Sequence, residues 1–358
     1  MDLDPVVVPL IDGECKTSRF MTAAHSDGVV PRSVTCCGVC STQNLRIFPV
    51  REMQVGLRES FEYGHCMQCG AITRLSLAPD MKRYYPSNYY AHCPSVEGAQ
   101  RALDRVRDFR DRVVLTGKGG VLSGVLADLS SEAVAVYRLI GMCRPKLDAR
   151  VLDVGCGDGK LLKRMAAIGF TDLTGVDRFI SDVKVGRESR VRMIRGELSE
   201  LNVDEHFDLI MLHHSFEHFE NQRAALESCV KLLSVSGLVL LRQPLSDSEA
   251  FEIYGPNWFQ LDAPRHNVIH SEASFRMMAK ECGLCVKQIV RDSTDMQFWA
   301  SEQYRGDVPM YSERSYFRGG QGHSSLFSPR QIASFKKRAR ELNRRGRGDQ
   351  GAFVMKKA

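Results

Sequence analysis

The sequence predicts an α/β fold, in which helices cross over a parallel sheet, preceded by a small cysteine-rich module. From Ala149 onward, short apolar runs alternate with amphipathic segments, which is typical of a parallel sheet with crossover helices. The first of these runs enters a glycine-rich loop, and two Cys-x-x-Cys pairs lie upstream of it. The chain has 358 residues, enough for one large domain and one small domain.

The composition is that of a globular protein. Hydrophobic residues make up 43% of the chain and charged residues 26%, and no apolar run approaches the roughly 20 residues that cross a bilayer. The N-terminus starts acidic and lacks the pattern of a signal peptide, so we expect a cytoplasmic protein with reduced cysteines. The net charge of +6 is mild, and much of it lies in residues 336–347, so nucleic acid is not the expected partner.

We expect four parts along the chain: a flexible leader at 1–34, a zinc-binding module at 35–80, a helical linker or cap at 81–145, and an α/β domain at 146–358. Helical spacing is found at about 97–115 and 125–142. Helices of the α/β domain are expected to begin near Asp158, Asp182, Asn221 and Ser271. The predicted strands are Val151–Val154, Leu173–Val176, Val191–Ile194, Phe207–Leu212, Leu238–Leu241, Val286–Val290 and Ala352–Met355.

The loop from Gly155 to Gly159 carries glycines at every second position, directly after the first strand. Glycine permits positive φ and a close approach of a ligand to the backbone, and the next helix N-terminus can receive a polar group. The dinucleotide fingerprint would need a third glycine where the chain has Lys160. Asp153 is also out of place beside a pyrophosphate. It suits a ligand with an ammonium group, such as the methionine end of S-adenosylmethionine.

Acidic residues at the next two strand ends extend this site. Asp177 closes the second strand, where a carboxylate can accept both hydroxyls of a ribose. After the third strand, Glu197 and Leu198 offer a polar side chain and backbone groups to an adenine edge. The alternative is that Asp177 and Glu197 only cap helices.

The run from Val151 to Leu241 resembles the class I S-adenosylmethionine-dependent methyltransferases. VLDVGCGDG is similar to the first motif of that family, GVD to its acidic loop, and FDLIMLHHSFEHFEN to its segment after strand four. Ser234-Val-Ser-Gly237 stands where the family usually has a Pro-Gly-Gly turn. The resemblance implies a Rossmann-like, seven-stranded domain. It also implies that Asp153, Gly155 and Gly157 hold the methionine portion of the cofactor, Asp177 the ribose, and Glu197 with Leu198 the adenine.

The two Cys-x-x-Cys pairs, Cys37 with Cys40 and Cys66 with Cys69, lie about 25 residues apart. Two such turns supply the four soft ligands of a tetrahedral zinc site, and four thiolates would close it to catalysis. We therefore predict a structural Zn²⁺. Cys36 and His65 are adjacent and leave the ligand set open, and coincidental thiols or a redox pair are the alternatives.

The cysteine pairs, the tyrosine-rich stretch at 84–90 and the segment 258–266 resemble bacterial methyltransferases of nucleotide-sugar and surface-polysaccharide pathways. The resemblance implies a small-molecule or glycan acceptor, methylated on a sugar hydroxyl, and the basic run at 336–347 could contact its phosphates. The alternatives are a sugar C-methyltransferase, a non-catalytic cofactor-binding protein, and an RNA methyltransferase that docks nucleic acid through the zinc module. Against RNA, the cysteine module is not strongly basic and no N-P-P-Y-type motif follows strand four.

Methyl transfer to a hydroxyl needs a base, and histidine suits that role near neutral pH. His214 follows the fourth strand and is expected to face the cofactor sulfur, whereas His266 lies in a segment expected to cover the pocket. We predict these two as the candidate catalytic residues. His213 and His218 are weaker candidates, and His218 is expected to pack structurally. The tyrosines at 89 and 90 either close over the cofactor or pack.

Overall fold

Two sheets organise the chain in a computed structural model that describes residues 34–78, 80–85, 101–116, 132–180, 191–318 and 326–358. The larger sheet has seven strands in the order β10-β11-β8-β7-β4-β5-β6. Its strands are β4 (Arg150–Val154), β5 (Asp172–Asp177), β6 (Val191–Arg195), β7 (Phe207–His213), β8 (Leu233–Pro244), β10 (Leu284–Arg291) and β11 (Gln350–Lys357).

The strand order is that of a Rossmann-like sheet. The strands β4 to β8 are parallel and follow the nucleotide-binding order, whereas β11 is antiparallel to both of its neighbours, β8 and β10. The carboxyl ends of β4, β5, β7 and β8 therefore meet at one edge of the sheet. Ligands bind at that edge in open α/β sheets.

All seven predicted strands are present, and most of their bounds are right to within two residues. The exception is β8, which is predicted to start at Leu238 after a turn and instead begins at Leu233, directly after a helix. Between Leu233 and Leu238 the pairing with β7 is irregular, because these residues face Phe207 and Leu209 respectively. The degenerate turn sequence is thus an irregularity within the strand.

Helices cover both faces of the sheet and join its strands. Several begin at a residue whose side chain accepts a hydrogen bond from the first turn, namely Asn221, Ser248, Ser271 and Ser328. Two of these, Asn221 and Ser271, are at predicted helix starts, and the start predicted at Asp182 lies outside the described residues. The helices are α1 (Arg101–Thr116), α2 (Glu132–Met142), α3 (Lys160–Ala167), α4 (Gln222–Leu232), α5 (Glu249–Tyr254), α6 (Glu272–Glu281), α7 (Met296–Arg305) and α8 (Pro329–Arg344).

The cysteine pairs lie beside a second, smaller antiparallel sheet, and of the four only Cys66 belongs to one of its strands. This sheet is formed by β1 (Leu45–Arg51), β2 (Ser60–Cys66), β3 (Ile72–Arg74) and β9 (Val268–Ile269). The strand β9 belongs to the segment that follows β8, so the cysteine module shares a sheet with the α/β domain. The proposed division of the chain into parts stays a prediction.

Separate apolar clusters pack against the faces of the large sheet. One contains Leu152, Ile210 and Leu241, and another contains Val151, Leu209 and Leu240, as expected when successive residues of buried strands point to opposite faces. Within the described part of the chain, no helix has the length and apolar character of a membrane-spanning segment.

Candidate active site

The glycine loop leaves β4 and lies at the carboxyl edge of the sheet. Gly155, Gly157 and Gly159 have φ values of +75°, +54° and +73°, a region that side chains disfavour. The amide of Gly155 donates to Val176 O at 2.8 Å, which ties the loop to β5. The structure therefore explains why glycine is needed at all three predicted positions.

Two carboxylates face this loop. Asp177 accepts hydrogen bonds from the amides of Gly157 (3.0 Å) and Phe179 (2.8 Å), which fixes its orientation at the end of β5. Asp153 is 4% exposed, and among the described residues the charged group that perturbs it is another carboxylate, Asp177, rather than a cation. Burial and the nearby Asp177 raise the pKa of Asp153 to about 7. A buried carboxylate without a cation fits a ligand that brings an ammonium group.

Glu197 and Leu198 follow β6 as predicted and lie at the same edge. Glu197 is exposed and forms an ion pair with Arg178 at 3.3 Å. Leu198 is buried in the apolar cluster below the sheet. Their proposed contact with an adenine remains a prediction, since the structure shows only their location.

The turn after β7 brings a histidine and a glutamate next to the glycine loop. A Cβ atom added to Gly155 would come within 2.5 Å of the Ser215 side chain, so the two segments are in close contact. His214 has a φ of +51°, and its Nδ1 lies 3.2 Å from Oε1 of Glu217. His214 is partly exposed whereas Glu217 is buried. The buried carboxylate therefore orients an imidazole ring that solvent or a ligand can reach.

His266 lies deeper than expected from the sequence. It is 5% exposed, its Nδ1 donates to Gln260 O at 2.7 Å, and its Nε2 lies 3.9 Å from Oε1 of Glu217. Burial lowers the pKa of His266 to about 4, with a further contribution from His218. His218 packs edge-on against His266, with 4.7 Å between ring centroids. His214 and His266 thus converge on one carboxylate.

Glu217 is the central residue that the sequence analysis missed. Burial raises the pKa of Glu217, but the hydrogen bond from His214 and the electrostatic interactions with the rings of His214, His266 and His218 outweigh that effect and lower the pKa to about 2. Beside it, Arg265 is almost fully buried and binds both oxygens of Asp262. The signal available in the sequence was a glutamate directly before His218, in the segment that resembles the post-strand-four motif.

Comparisons with known proteins agree with this geometry. Residues 126–289 match the family model described as a methyltransferase domain. The matched residues include the glycine loop and the turn after β7. Enzymes with this domain transfer methyl groups, which is the activity class EC 2.1.1.

The curated relatives match part of this methyltransferase domain. The chain is 32% identical over 105 residues to a ubiquinone biosynthesis O-methyltransferase of Chelativorans sp. (strain BNC1), covering 27% of this chain and 41% of that protein. It is 31% identical over 133 residues to the enzyme of the same name from Cereibacter sphaeroides, covering 32% and 50%. The chain thus spans about half or less of the length of these relatives.

A solved S-adenosylmethionine-dependent methyltransferase from Archaeoglobus fulgidus is also similar. It is 20% identical to this chain, with a TM-score of 0.40, and the match covers 64% of this chain and 94% of that one.

The four predicted cysteine ligands meet at one point beside the methyltransferase domain. The Sγ atoms of Cys37, Cys40, Cys66 and Cys69 all lie within 4.8 Å of one another. Sγ of Cys37 is 3.6 Å from that of Cys69, and the same distance separates Cys40 from Cys66. A tetrahedral zinc with Zn–S bonds of about 2.3 Å would place its sulfurs about 3.8 Å apart. The geometry therefore fits a zinc ion.

Backbone amides support this cluster. The amide of Val39 donates to Sγ of Cys37 at 3.4 Å, and the amide of Cys69 donates to Sγ of Cys66 at 3.3 Å. Of the two spare ligands, Cys36 is buried, and the ring of His65 packs edge-on against Phe251. Neither residue belongs to the cluster.

The cysteine module holds the segment that carries His266. The backbone of β3 pairs with β9, and the amide of Arg74 donates to Asn267 O at 2.8 Å. The hydroxyl of Tyr63 donates to His266 O at 2.9 Å. Since Tyr63 lies on β2, three residues before Cys66, the folded module fixes the backbone on which His266 sits.

The basic run at 336–347 falls on α8 and the turn after it, and several of its charges are already compensated. Arg338 forms an ion pair with Glu249 at 2.6 Å, and Arg347 with Glu252 at 2.5 Å. A cavity of about 310 Å³ beside α8 is lined by both acidic and basic side chains. Contact with acceptor phosphates remains a prediction. The tyrosines at 89 and 90 lie outside the described residues.

Proposed function

We propose that the protein transfers a methyl group from S-adenosylmethionine to a hydroxyl oxygen of a small polar acceptor. The observation that carries this proposal is the contact between two half-sites. The glycine loop with Asp153 and Asp177 lies directly against the turn that bears the His214–Glu217 pair, through Gly155 and Ser215.

The cofactor half follows from the loop and the carboxylates. Asp153 would hold the ammonium group of the methionine portion, Asp177 the ribose hydroxyls, and Glu197 with Leu198 the adenine. When bound, S-adenosylmethionine supplies an electrophilic methyl group. Gly155 and Gly157 leave the backbone open to the ligand because they carry no side chain.

The acceptor half provides a base. Nδ1 of His214 donates to the buried carboxylate of Glu217, so Nε2 is the acceptor atom of the ring and can take the hydroxyl proton. Glu217 fixes the ring orientation and stabilises the imidazolium that forms, a role that carboxylates have beside catalytic histidines. His266 is buried and its Nδ1 is engaged by a carbonyl, so we assign the base to His214.

Buried polar groups at this edge of the sheet favour a hydroxyl-rich acceptor. His213 ends β7, Gln243 lies near the end of β8, and Asp292 follows β10. Both ring nitrogens of His213, both amide atoms of Gln243 and one oxygen of Asp292 are buried without a partner among the described residues. Such groups are costly unless a ligand pairs with them. A sugar hydroxyl, free or on a glycan or nucleotide-sugar, therefore suits this edge better than an apolar acceptor.

The cysteine cluster is proposed to hold a structural Zn²⁺. All four positions of a tetrahedral ion would be taken by thiolates, which leaves none for a substrate. The ion would stabilise the module that positions Tyr63 and β9, and through them the segment around His266.

The proposal is tested by incubating the purified protein with S-adenosylmethionine and a panel of acceptors, followed by mass spectrometry of the products. Sugar nucleotides and free sugars form one arm, and catechols form the other, because the curated relatives are named as O-methyltransferases of ubiquinone biosynthesis. Formation of S-adenosylhomocysteine with a monomethylated sugar supports the proposal. Turnover with catechols alone would show that the acceptor is a catechol and not a sugar. Methylation at a carbon atom would contradict the proposed transfer to a hydroxyl oxygen.

A further inference from the structure

A second group of metal-ligating side chains lies beside the proposed base. Glu217, His218 and His266 each offer one ligand atom, and these three atoms lie within 4.8 Å of one another. Glu217 and His266 are buried, and His218 is partly buried. The first two come from the turn after β7 and the third from the segment before β9, so the fold brings together two stretches about 50 residues apart.

The two histidines are held in one tautomer by the backbone. Nδ1 of His266 lies 2.7 Å from Gln260 O, and Nδ1 of His218 lies 3.1 Å from Arg265 O. A carbonyl oxygen can only accept, so Nδ1 carries the hydrogen in both rings and Nε2 keeps its lone pair. Metal-binding histidines are commonly oriented in this way.

The carboxylate that joins them has a free oxygen. Oε1 of Glu217 accepts from His214, whereas Oε2 is buried and receives no hydrogen bond from any residue that the structure describes. Nε2 of His266 is 3.9 Å from Oε1 of Glu217, which is too far for a hydrogen bond. The Nε2 atoms of the two histidines and the Glu217 carboxylate therefore lie close together, and each of these groups can only accept.

A nearby second carboxylate is already neutralised. Both oxygens of Asp262 bind the guanidinium of Arg265, and Nε2 of His266 lies 3.7 Å from Oδ2 of Asp262, beyond hydrogen-bond distance. Glu217 is thus the anionic group in this cluster that lacks a full complement of donors. A buried anion of this kind is costly unless a cation compensates it.

We propose that Glu217, His218 and His266 bind a divalent first-row transition metal, separate from the cysteine cluster. Two imidazoles and one carboxylate are a ligand set for Fe²⁺, Co²⁺, Mn²⁺ or Zn²⁺ that leaves coordination positions open. Glu217 can bind the metal and keep its hydrogen bond from His214, because Oε2 is unpartnered among the described residues and Oε1 retains a second lone pair. The site does not depend on the proposed methyl transfer, since metal binding can be measured without an acceptor.

The probe is Co²⁺, added to the full-length protein after its cysteine cluster has been loaded with zinc. Cobalt bound by nitrogen and oxygen gives visible d–d bands, and it lacks the thiolate charge-transfer band that exchange into the cysteine cluster would produce. We expect one Co²⁺ per chain without that band. Glu217→Gln and His266→Gln should weaken Co²⁺ binding at least about 100-fold. The matched control His206→Gln, at an exposed histidine, should leave it unchanged.

Thermal unfolding shows which variants are folded, and His218→Gln carries the test if a buried variant does not fold. Absence of the d–d bands, bands that always come with thiolate charge transfer, or equal Co²⁺ affinity in wild type and the folded ligand variants would each overturn the proposal.

Discussion

The cofactor half and the acceptor half of the proposed site are built in different ways. The cofactor half is local: Asp153, the glycine loop and Asp177 lie within 25 residues, and the backbone bonds that orient them run between β4 and β5. The acceptor half is assembled from distant segments, because Glu217 meets His266 from beyond β8, and Tyr63 of the cysteine module fixes the backbone of His266.

This difference means that the two halves should respond separately to mutation. A change in the cysteine module should disturb the acceptor half through β9 and leave the cofactor half in place. A change in the glycine loop or its carboxylates should disturb the cofactor half and leave the acceptor half in place. The following predictions test that separation, from the largest expected effect to the smallest.

Replacing a cysteine ligand should have the largest effect. Cys66→Ser removes one of four thiolates, so we expect loss of bound zinc and a decrease of several kcal/mol in the free energy of unfolding, since zinc binding contributes to folding. Methyl transfer should be lost while S-adenosylmethionine binding is largely retained. Metal analysis, thermal unfolding and calorimetry measure these quantities. The control is Cys285→Ser, at an exposed cysteine. Full zinc occupancy in Cys66→Ser would contradict the assignment.

Neutralising the carboxylate at the end of β5 should disable the cofactor half. Asp177→Asn keeps the shape of the side chain but loses the charge that would accept two ribose hydroxyls. We expect the dissociation constant of S-adenosylmethionine to rise about 100-fold or more, since each hydrogen bond to a charged group contributes about 1.5–3 kcal/mol. Asp172→Asn, at the other end of the same strand, serves as the control. Equal affinities in the two variants would show that Asp177 does not bind the ribose.

Removing the proposed base should lower the rate without affecting cofactor binding. His214→Asn is suitable because asparagine tolerates the positive φ at this position. Loss of a general base costs about 100-fold or more in kcat. Calorimetry with S-adenosylmethionine should give an unchanged dissociation constant, and His206→Asn should behave as wild type in both assays. Undiminished turnover in His214→Asn would shift the role of base to another residue.

The pH dependence of cofactor affinity should be the smallest effect. Because burial and Asp177 raise the pKa of Asp153 to about 7, most of this carboxyl group is protonated at pH 6 and unable to pair with an ammonium group. We therefore expect S-adenosylmethionine to bind about eightfold more weakly at pH 6 than at pH 7.4, the ratio of the ionised fractions of Asp153 at the two pH values. Methylthioadenosine, which lacks the amino acid portion, is the control and should show a flat profile. An equal loss of affinity for both ligands at pH 6 would show that Asp153 does not pair with the ammonium group.

The same contrast explains what could be predicted from the sequence. The existence of the seven strands and the positions of Gly155, Asp153 and Asp177 follow from contiguous patterns, because a strand, a glycine loop and a helix are encoded next to one another. The spacing of the cysteine pairs likewise predicted that Cys37 and Cys66 would meet. Glu217 was missed as the centre of the histidine cluster, since its partners depend on tertiary contacts with residues around Asp262. The predicted start of β8 was wrong because the degenerate turn sequence at 234–237 forms part of the strand, with irregular pairing to β7.

The most direct test of the central claim is calorimetric titration of S-adenosylmethionine into the zinc-loaded wild-type protein. We predict binding of one molecule per chain, with affinity lost in Asp153→Asn and retained in His214→Asn. A folded, zinc-loaded protein that binds no S-adenosylmethionine, or that binds it equally well in Asp153→Asn, would contradict the proposed cofactor site.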